Sequence, residues 1–342
     1  MKNMISNSFQ CVLFPFVLLI SLTSLRAQVY AESAKPIKVF ILAGQSNMEG
    51  HGFVEADPKR NGGKGSLEFM LKDLDKRSRF NHLVDRAGKW IVREDVMIAY
   101  LARSGPLTIG YGASPQKIGP ELGFGTIVGN AFDEPVLLIK CAWGGKSLAV
   151  DFRPPSAGKV PYSLGEKMDV DVAQDPSIVG KYYREILSIT KSQLANLKEL
   201  MPASEGRGVE LTGFGWHQGW NDRINDKHNA EYESNLAYFI RDIRTDLGVA
   251  NLPFVIGETG MSGPEEKHPR ALSLMKAQRA VAEYPEFTGN VAFVATQNFW
   301  RSQEESPTGQ AYHWNTNAET YYLIGEAMGQ AMLSMVDLKS SK

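Results

Sequence analysis

The sequence predicts an α/β fold built on a doubly wound, five-stranded parallel sheet. Five apolar runs rich in Val, Ile, Leu and Phe are bounded by Gly, Pro, Asn or Asp, a pattern typical of buried parallel strands. Helical patterns fill most of the gaps, and strands that alternate with helices form parallel sheets. The predicted strands are Ile37–Leu42, Pro135–Ala142, Val209–Trp216, Leu252–Gly257 and Val291–Thr296, and the predicted helices are Tyr182–Leu200, Tyr232–Leu247, Ala271–Tyr284 and Thr320–Val336.

Residues 1–31 have the pattern of a secretory signal peptide. Lys2 precedes an apolar run over Val12–Leu22, and a small-residue cleavage site ends at Ala31. The apolar run is shorter than the roughly 20 residues that span a bilayer. We therefore predict cleavage near Ala31, a secreted or periplasmic location, and no membrane association.

The remaining residues, 32–342, are expected to form a single domain with its core at about 37–336. Two long stretches interrupt the alternation of strands and helices. Residues 50–134 are glycine-rich and partly charged, and residues 150–178 contain several acids. Insertions of this length usually form binding loops or lids, so we expect long loop insertions on the ligand-binding face.

Composition narrows the classes of partner and cofactor. The chain has 37 Lys and Arg against 38 Asp and Glu, a balance that gives no sign of nucleic-acid binding. Of its two cysteines, Cys11 falls in the predicted signal peptide and Cys141 lies on an apolar strand, so we expect no internal disulfide. The six histidines are not paired at metal-ligand spacing, and we predict neither a metal nor a cofactor. The oligomeric state stays open.

Polar residues follow three of the predicted strands, where ligands bind in open α/β sheets. Ser46 follows the first strand, and His313 lies just before the last helix. A serine early and a histidine late in the chain can meet as a nucleophile and its base. Acyl transfer also needs donors aimed at an oxyanion, a role suited to glycine amides and to side-chain amides. The three polar clusters are Gly44-Gln45-Ser46-Asn47, Trp143-Gly144-Gly145-Lys146-Ser147 and Trp216-His217-Gln218-Gly219-Trp220-Asn221-Asp222.

At these clusters the chain resembles the SGNH hydrolases, in particular the sialate O-acetylesterase-like group that includes carbohydrate esterase family six, the acetyl xylan esterases. The resemblance spans about residues 37–330. It implies a flavodoxin-like fold and metal-free hydrolysis of acetyl esters on sugars. The segments that carry it are Gly44-Gln45-Ser46-Asn47-Met48, Gly144-Gly145 and His217-Gln218-Gly219.

The resemblance also implies a role for each matching residue. Ser46 is the nucleophile and His313 the general base. The backbone amides of Ser46 and Gly145, with the side chain of Gln218 or Asn221, form the oxyanion hole. His217 ends a strand, and we expect it to hold its loop by hydrogen bonding and not to act as the base.

The chain departs from the family pattern at the third member of the triad. The family places an aspartate three residues before the base, where this chain has Gln310, and often a glutamate directly after His-Gln-Gly, where it has Trp220. Asp222 is the first candidate for the missing acid and Glu258 the second. Gln310 or a backbone carbonyl are further alternatives, and so is a serine–histidine dyad that lacks a carboxylate.

Four tryptophans lie near the predicted site in sequence, Trp143, Trp216, Trp220 and Trp314, and all but Trp216 are candidates for stacking on a sugar. Flat aromatic side chains stack well on sugar rings, but large aromatics equally belong to cores. Both interpretations stay open for these residues.

We predict a secreted carbohydrate O-acetylesterase that works through a serine nucleophile and an acetyl-enzyme intermediate, with an acetylated oligo- or polysaccharide as its substrate. One alternative is a non-catalytic glycan-binding protein of the same fold, because the usual carboxylates are missing. Another is a lipase-like enzyme that acts on longer acyl esters. The identity of the glycan and the position of the acetylated hydroxyl stay open.

Overall fold

A seven-stranded sheet forms the centre of the protein in the computed structural model, which describes residues 35–340. Its strands lie in the order β4-β3-β6-β1-β7-β8-β9, and neighbours are parallel except for the antiparallel pair β3 and β4. Strands β2 and β5 form a separate antiparallel ribbon. The strands are β1 (Ile37–Gly44), β2 (Gly52–Phe53), β3 (Arg93–Tyr100), β4 (Arg103–Leu107), β5 (Lys117–Ile118), β6 (Val136–Ala142), β7 (Val209–His217), β8 (Phe254–Gly257) and β9 (Val291–Val294).

All five predicted strands are present, as β1, β6, β7, β8 and β9, and their order is that of a doubly wound, flavodoxin-like sheet. The expected strand number of five is wrong, because residues 50–134 contribute β3 and β4 and are not simply loops. Strand β3 begins with the charged residues Arg93-Glu94-Asp95, which obscured it. Only its second half, Val96–Tyr100, pairs with β6.

Helices cover both faces of the sheet, which explains why β1 is apolar without interruption. Phe40 and Leu42 point to the face covered by α4 and α12, whereas Val39 and Ile41 point to the face covered by α6, α10 and α11. The helices are α1 (Ser46–Glu49), α2 (Leu67–Lys72), α3 (Arg77–Phe80), α4 (Pro120–Ala131), α5 (Glu166–Gln174), α6 (Lys181–Ala195), α7 (Leu197–Leu200), α8 (Trp220–Arg223), α9 (Asp226–Ala230), α10 (Tyr232–Asp246), α11 (Pro269–Ala282) and α12 (Ala318–Ser340).

The predicted helix over Tyr182–Leu200 is divided into α6 and α7 at Asn196, and the other three predicted helices match α10, α11 and α12 closely. Asn317 caps α12, because its Oδ1 accepts a hydrogen bond from the amide of Thr320 at 3.4 Å. The predicted signal peptide, residues 1–31, lies outside the described residues. None of the helices within residues 35–340 combines the length and hydropathy needed to cross a bilayer.

A fully buried ion pair links the sheet to the segment that carries Ser46. Lys140 on β6 donates through Nζ to Glu121 Oε2, to the carbonyl of Tyr111 and to the carbonyl of Glu49, each at 2.7 Å. Both charged side chains are inaccessible to solvent. All three ammonium hydrogens therefore have acceptors, and one of them holds the carboxyl end of α1.

Replacing Lys140 with methionine is expected to lower the free energy of unfolding by about 3–5 kcal/mol, because Glu121 would stay buried without its counter-charge. Urea denaturation measures this loss. A suitable control is Lys167→Met, which removes an exposed ion pair with Asp171 and should cost less than about 1 kcal/mol. Equal losses in the two variants would contradict the prediction.

Candidate active site

The three polar clusters meet at the carboxyl edge of the sheet because β6, β1 and β7 are neighbours. Gln45, directly after β1, joins two of them. Its Oε1 accepts hydrogen bonds from Gln218 Nε2 (3.3 Å), from the amide of Gly219 (3.1 Å) and from the amide of Asn221 (3.3 Å). Asn221 Nδ2 in turn donates to the carbonyl of Gly145 at 2.6 Å. The predicted convergence of the three strand ends is therefore observed.

Ser46 is the first residue of α1, and 8% of its surface is exposed. The chain reaches this position through Gly44, which lies so close to β7 that a Cβ there would be 2.2 Å from the carbonyl oxygen of His217. Only glycine permits this approach. The local sequence thus turns the chain sharply at the strand end and leaves the serine at the edge of the sheet.

The loop that carries His313 is fastened to α1 through Asn47, the neighbour of Ser46. Asn47 Nδ2 donates to the carbonyl of Tyr312 at 3.1 Å. The hydroxyl of Tyr321 on α12 contacts both segments, Asn47 Oδ1 at 2.8 Å and the carbonyl of His313 at 3.2 Å. Ser46 and His313 are therefore carried by adjoining segments, although no hydrogen bond joins the two side chains within the part of the chain that the structure describes.

The His313 loop has an unusual backbone. Trp314, Asn315 and Thr316 have φ values of 51°, 52° and 56°, a conformation that costs on the order of 1–3 kcal/mol at each non-glycine residue. Surrounding hydrogen bonds hold it, among them Asn315 Nδ2 to the carbonyl of Arg301 at 3.0 Å and the bond between the hydroxyls of Thr308 and Thr316 at 3.0 Å. Such strain clusters at functional sites.

The three tryptophans proposed for sugar stacking differ in how deeply they are buried. Trp314 is fully buried beside the rings of His217 and Trp300, so the prediction that it could stack on a sugar is wrong. Its left-handed backbone turns the side chain into the core. Trp143 and Trp220 are only half buried. The Trp220 ring lies 5.8 Å from that of Tyr312, next to His313.

The His313 imidazole lies flat against the ring of His51, with 3.8 Å between the ring centroids and 7° between the planes. Tyr312 contacts it at 4.5 Å. Burial and the nearby Lys117 ammonium lower the pKa of His313 from 6.5 to about 4. Lys117 Nζ lies 3.1 Å from His51 Nδ1. Burial and nearby positive charges, Lys117 among them, lower the pKa of His51 to about 3. Both rings are therefore neutral at pH 7.

Neither predicted acid contacts His313. Asp222 accepts hydrogen bonds from the amides of Leu148 and Ala149, each at 2.9 Å, and from Gln218 Nε2 at 2.5 Å. Burial raises the pKa of Asp222 to about 7. This carboxylate holds the turn after β6, so its assignment as the partner of His313 is wrong.

The second candidate, Glu258, accepts hydrogen bonds from the amides of Thr296 (2.8 Å) and Gln297 (3.4 Å). It holds the turn after β9 and is not a partner of His313 either. Both errors have one cause: a buried carboxylate binds the nearest backbone donors, and sequence distance does not reveal which these are. The side chain of Gln310 is exposed and has no hydrogen-bond partner among residues 35–340.

The predicted oxyanion donors differ in their availability. Gly145 is exposed, has φ of +70°, and its amide has no acceptor among the described residues. Asn221 uses one hydrogen of its side-chain amide on Gly145 and keeps the other. Gln218 Nε2 donates to Asp222, to the carbonyl of Lys146 and to Gln45, so its assignment to the oxyanion hole is wrong.

Three residues of the site were missed in the sequence. Glu49 accepts a hydrogen bond from the amide of Gly144 and, at 3.3 Å, from the hydroxyl of Tyr100, and burial raises its pKa. Its position three residues after Ser46 on α1 was a usable signal. No signal in the sequence pointed to His51 and Lys117, because their contact forms when β2 pairs with β5.

His217, by contrast, has the predicted structural role. Its Nδ1 lies 3.1 Å from the carbonyl of Gly257, and its ring is fully buried. Burial lowers its pKa to about 4. Within residues 35–340 no three His, Cys, Asp or Glu side chains form a group that could hold a metal ion.

A family model described as carbohydrate esterase, sialic acid-specific acetylesterase matches residues 36–334. The chain belongs to this family of carbohydrate esterases. By family it is therefore a carbohydrate acetylesterase with an SGNH-like fold. No curated protein sequence matches this esterase.

Solved structures with low sequence identity share the fold of the esterase. A protein from Arabidopsis thaliana has a TM-score of 0.52 at 17% identity, over 87% of this chain and 98% of that chain. NanS has a TM-score of 0.52 at 14% identity, over 91% and 99%. A carbohydrate acetylesterase from Xanthomonas citri is also similar, with a TM-score of 0.47 at 13% identity, over 86% and 55%.

Proposed function

We propose that this esterase removes acetyl groups from carbohydrates with Ser46 as its nucleophile and His313 as its general base. The observation that carries the proposal is the fastening of the His313 loop to α1 through Asn47 and Tyr321. It brings two segments separated by most of the chain to one edge of the sheet. Family membership supplies the acetyl ester as the substrate class.

In the proposed reaction, Ser46 Oγ attacks the acetyl carbonyl carbon while His313 accepts the hydroxyl proton. The oxygen that becomes negative accepts hydrogen bonds from the amides of Ser46 and Gly145 and from the remaining Asn221 amide hydrogen. The bond to the sugar oxygen then breaks, and that oxygen takes the proton from His313. Water, deprotonated by the same histidine, cleaves the acetyl-enzyme and releases acetate.

The contacts of Glu49 with Gly144 and of Asn221 with Gly145 support this arrangement. Glu49 accepts from the amide of Gly144, and Asn221 donates to the carbonyl of Gly145. A Cβ on Gly144 would lie 3.8 Å from Ser46 Cβ, which shows how near this turn is to the proposed nucleophile. The two contacts leave the amide of Gly145 free to bind an oxyanion.

The test is release of acetate from O-acetylated xylose, O-acetylated sialic acid and an aryl acetate, compared with the aryl butyrate and octanoate. Acetate release from the sugars, with slower turnover of the longer esters, supports the proposal. Saturable sugar binding without acetate at any pH would instead support a glycan-binding protein. Faster turnover of the octanoate would support a lipase-like enzyme.

The low pKa of His313 makes a prediction about pH. The base must be neutral, so kcat/KM should stay level as pH falls through 6.5 and decline only near pH 4. Removing the nearby charge by Lys117→Met should raise this pKa and move the decline to higher pH. A wild-type decline centred near pH 6.5 would contradict the prediction.

Folding must be followed in the same experiment. Burial lowers the folded-state pKa values of His51, His217 and His313 below 6.5, so the unfolded chain binds more protons in acid. This contribution to stability is complete above pH 6.5 and is lost as pH falls towards 4. Circular dichroism at each pH distinguishes unfolding from protonation of the base.

We also propose that the esterase acts outside the cytoplasm, on the basis of the signal-peptide pattern in residues 1–31. Sequencing the amino terminus of the protein recovered from its native host checks this. A first residue near Glu32 supports export, and an intact Met1 would contradict it.

A further inference from the structure

The proposed base lacks the partner that usually orients it. In a triad, a carboxylate accepts a hydrogen bond from the second ring nitrogen of the histidine and holds the ring in place. Within residues 35–340 neither ring nitrogen of His313 has a hydrogen-bond partner. The predicted acids are bound elsewhere, and Gln310 is exposed. The contacts of this ring are aromatic: His51 on one face and Tyr312 at an angle.

His51 is well placed to restrain that ring. It follows α1 and therefore moves with the segment that carries Ser46. A parallel overlap at 3.8 Å with 7° between the planes restricts tilting of the His313 imidazole. The orientation of the base is thus tied to the position of the nucleophile by a ring stack.

Two contacts define the state of His51 itself. Lys117 has only donors, so His51 Nδ1 accepts from its Nζ at 3.1 Å and the ring proton lies on Nε2. Nε2 is buried and has no partner in the described part of the chain. Buried polar groups without a partner are rare and call for an explanation. Here the ring is held flat against His313, at the expense of a hydrogen bond for its own Nε2.

We propose that His51 is the positioning residue of His313: a neutral imidazole, fixed by Lys117 and stacked on the base, takes over the orienting role of the missing triad carboxylate. This inference rests on the proposed function. When His313 accepts the serine proton, its ring becomes positively charged. The face of the His51 ring then lies against this charge, and the faces of aromatic rings attract cations. Burial, together with nearby positive charge that includes Lys117, keeps His51 itself uncharged during that step.

A pair of substitutions separates the flat ring from the volume it fills. His51→Leu fills similar space but removes the planar surface, and His51→Phe keeps the plane but removes the nitrogens. We expect kcat for acetate release to fall by about 100-fold in His51→Leu with little change in KM, because a misplaced base slows chemistry and not binding. His51→Phe should retain most of the wild-type kcat.

His82→Leu is the control: His82 is an exposed histidine outside the site, and its Nε2 lies 2.7 Å from the hydroxyl of Tyr322. It should leave kcat unchanged. Wild-type kcat in His51→Leu would overturn the inference, and so would equal losses in His51→Leu and His51→Phe. Acetate release by the wild type and its loss in Ser46→Ala test the proposed function separately, so the two failures can be told apart.

Discussion

Replacing Ser46 with alanine is expected to lower kcat for acetate release by about 10⁴-fold, because the acetyl group would have no nucleophile to which it could transfer. Ser46 is the first residue of α1, and its neighbour Asn47 fastens the His313 loop. Removing one oxygen from this position should not disturb that contact. Initial rates with an aryl acetate measure the effect.

The size of the loss is informative in itself. In a serine protease triad, removing the acid alone lowers kcat by about 3 × 10⁴-fold, and removing the serine lowers it by about 2 × 10⁶-fold. In a dyad whose histidine has no orienting partner, removal of the serine should therefore lower kcat by only about 10²-fold. A drop near 10⁴ therefore indicates a base that is held in place. Ser234→Ala, at an exposed serine whose hydroxyl donates to the carbonyl of Glu231, is the control and should have wild-type rates. Undiminished activity in Ser46→Ala would eliminate the proposed mechanism.

The second large effect is expected for His313→Gln, which keeps a polar side chain but removes the base. We expect kcat to fall by about 10³–10⁴-fold, because the hydroxyl of Ser46 is a weak nucleophile at neutral pH. The decline in kcat/KM near pH 4 should disappear with the group that causes it. Rates between pH 3.5 and 8 measure both consequences.

Chemical rescue makes this test specific. Added imidazole should restore part of the activity of His313→Gln by serving as an external base, and it should do nothing for Ser46→Ala. His228→Gln is a suitable control, since burial lowers the pKa of this histidine too, while its ring contacts Tyr162 away from the site. An unchanged acid limb in His313→Gln would mean that another group is the base.

Most of the fold could be predicted because it depends on local pattern. The five apolar runs became five adjacent strands of the sheet, β6, β1, β7, β8 and β9, and the long amphipathic segments became α6, α10, α11 and α12. Residues 50–134 resisted prediction for a physical reason. Strand β3 starts with charged residues and is stabilised by pairing with β6, a contact that lies outside its own sequence. Its partner β4 is an edge strand of only five residues.

The site could be predicted in part. Gln45, Ser46, Gly145 and Asn221 follow strands that the pattern identified, and adjacent parallel strands bring their ends together. The acid assignments to Asp222 and Glu258 failed because any buried carboxylate near a strand end matches the chemical requirement. Only the tertiary structure shows that these two carboxylates are bound by backbone amides.

The sequence alone determined the doubly wound sheet, the serine at its edge and the resemblance to a family of acetylesterases, because apolar periodicity and short motifs are properties of neighbouring residues. Tertiary structure decided what contacts His313: the ring of His51 stacks on it, the ammonium of Lys117 lies nearby, and no carboxylate among the described residues is hydrogen-bonded to it. These groups come from β5, the segment after α1 and the loop before α12, which are far apart in the chain. Their contacts form when separate segments pack together, so the spacing of residues along one segment does not predict them.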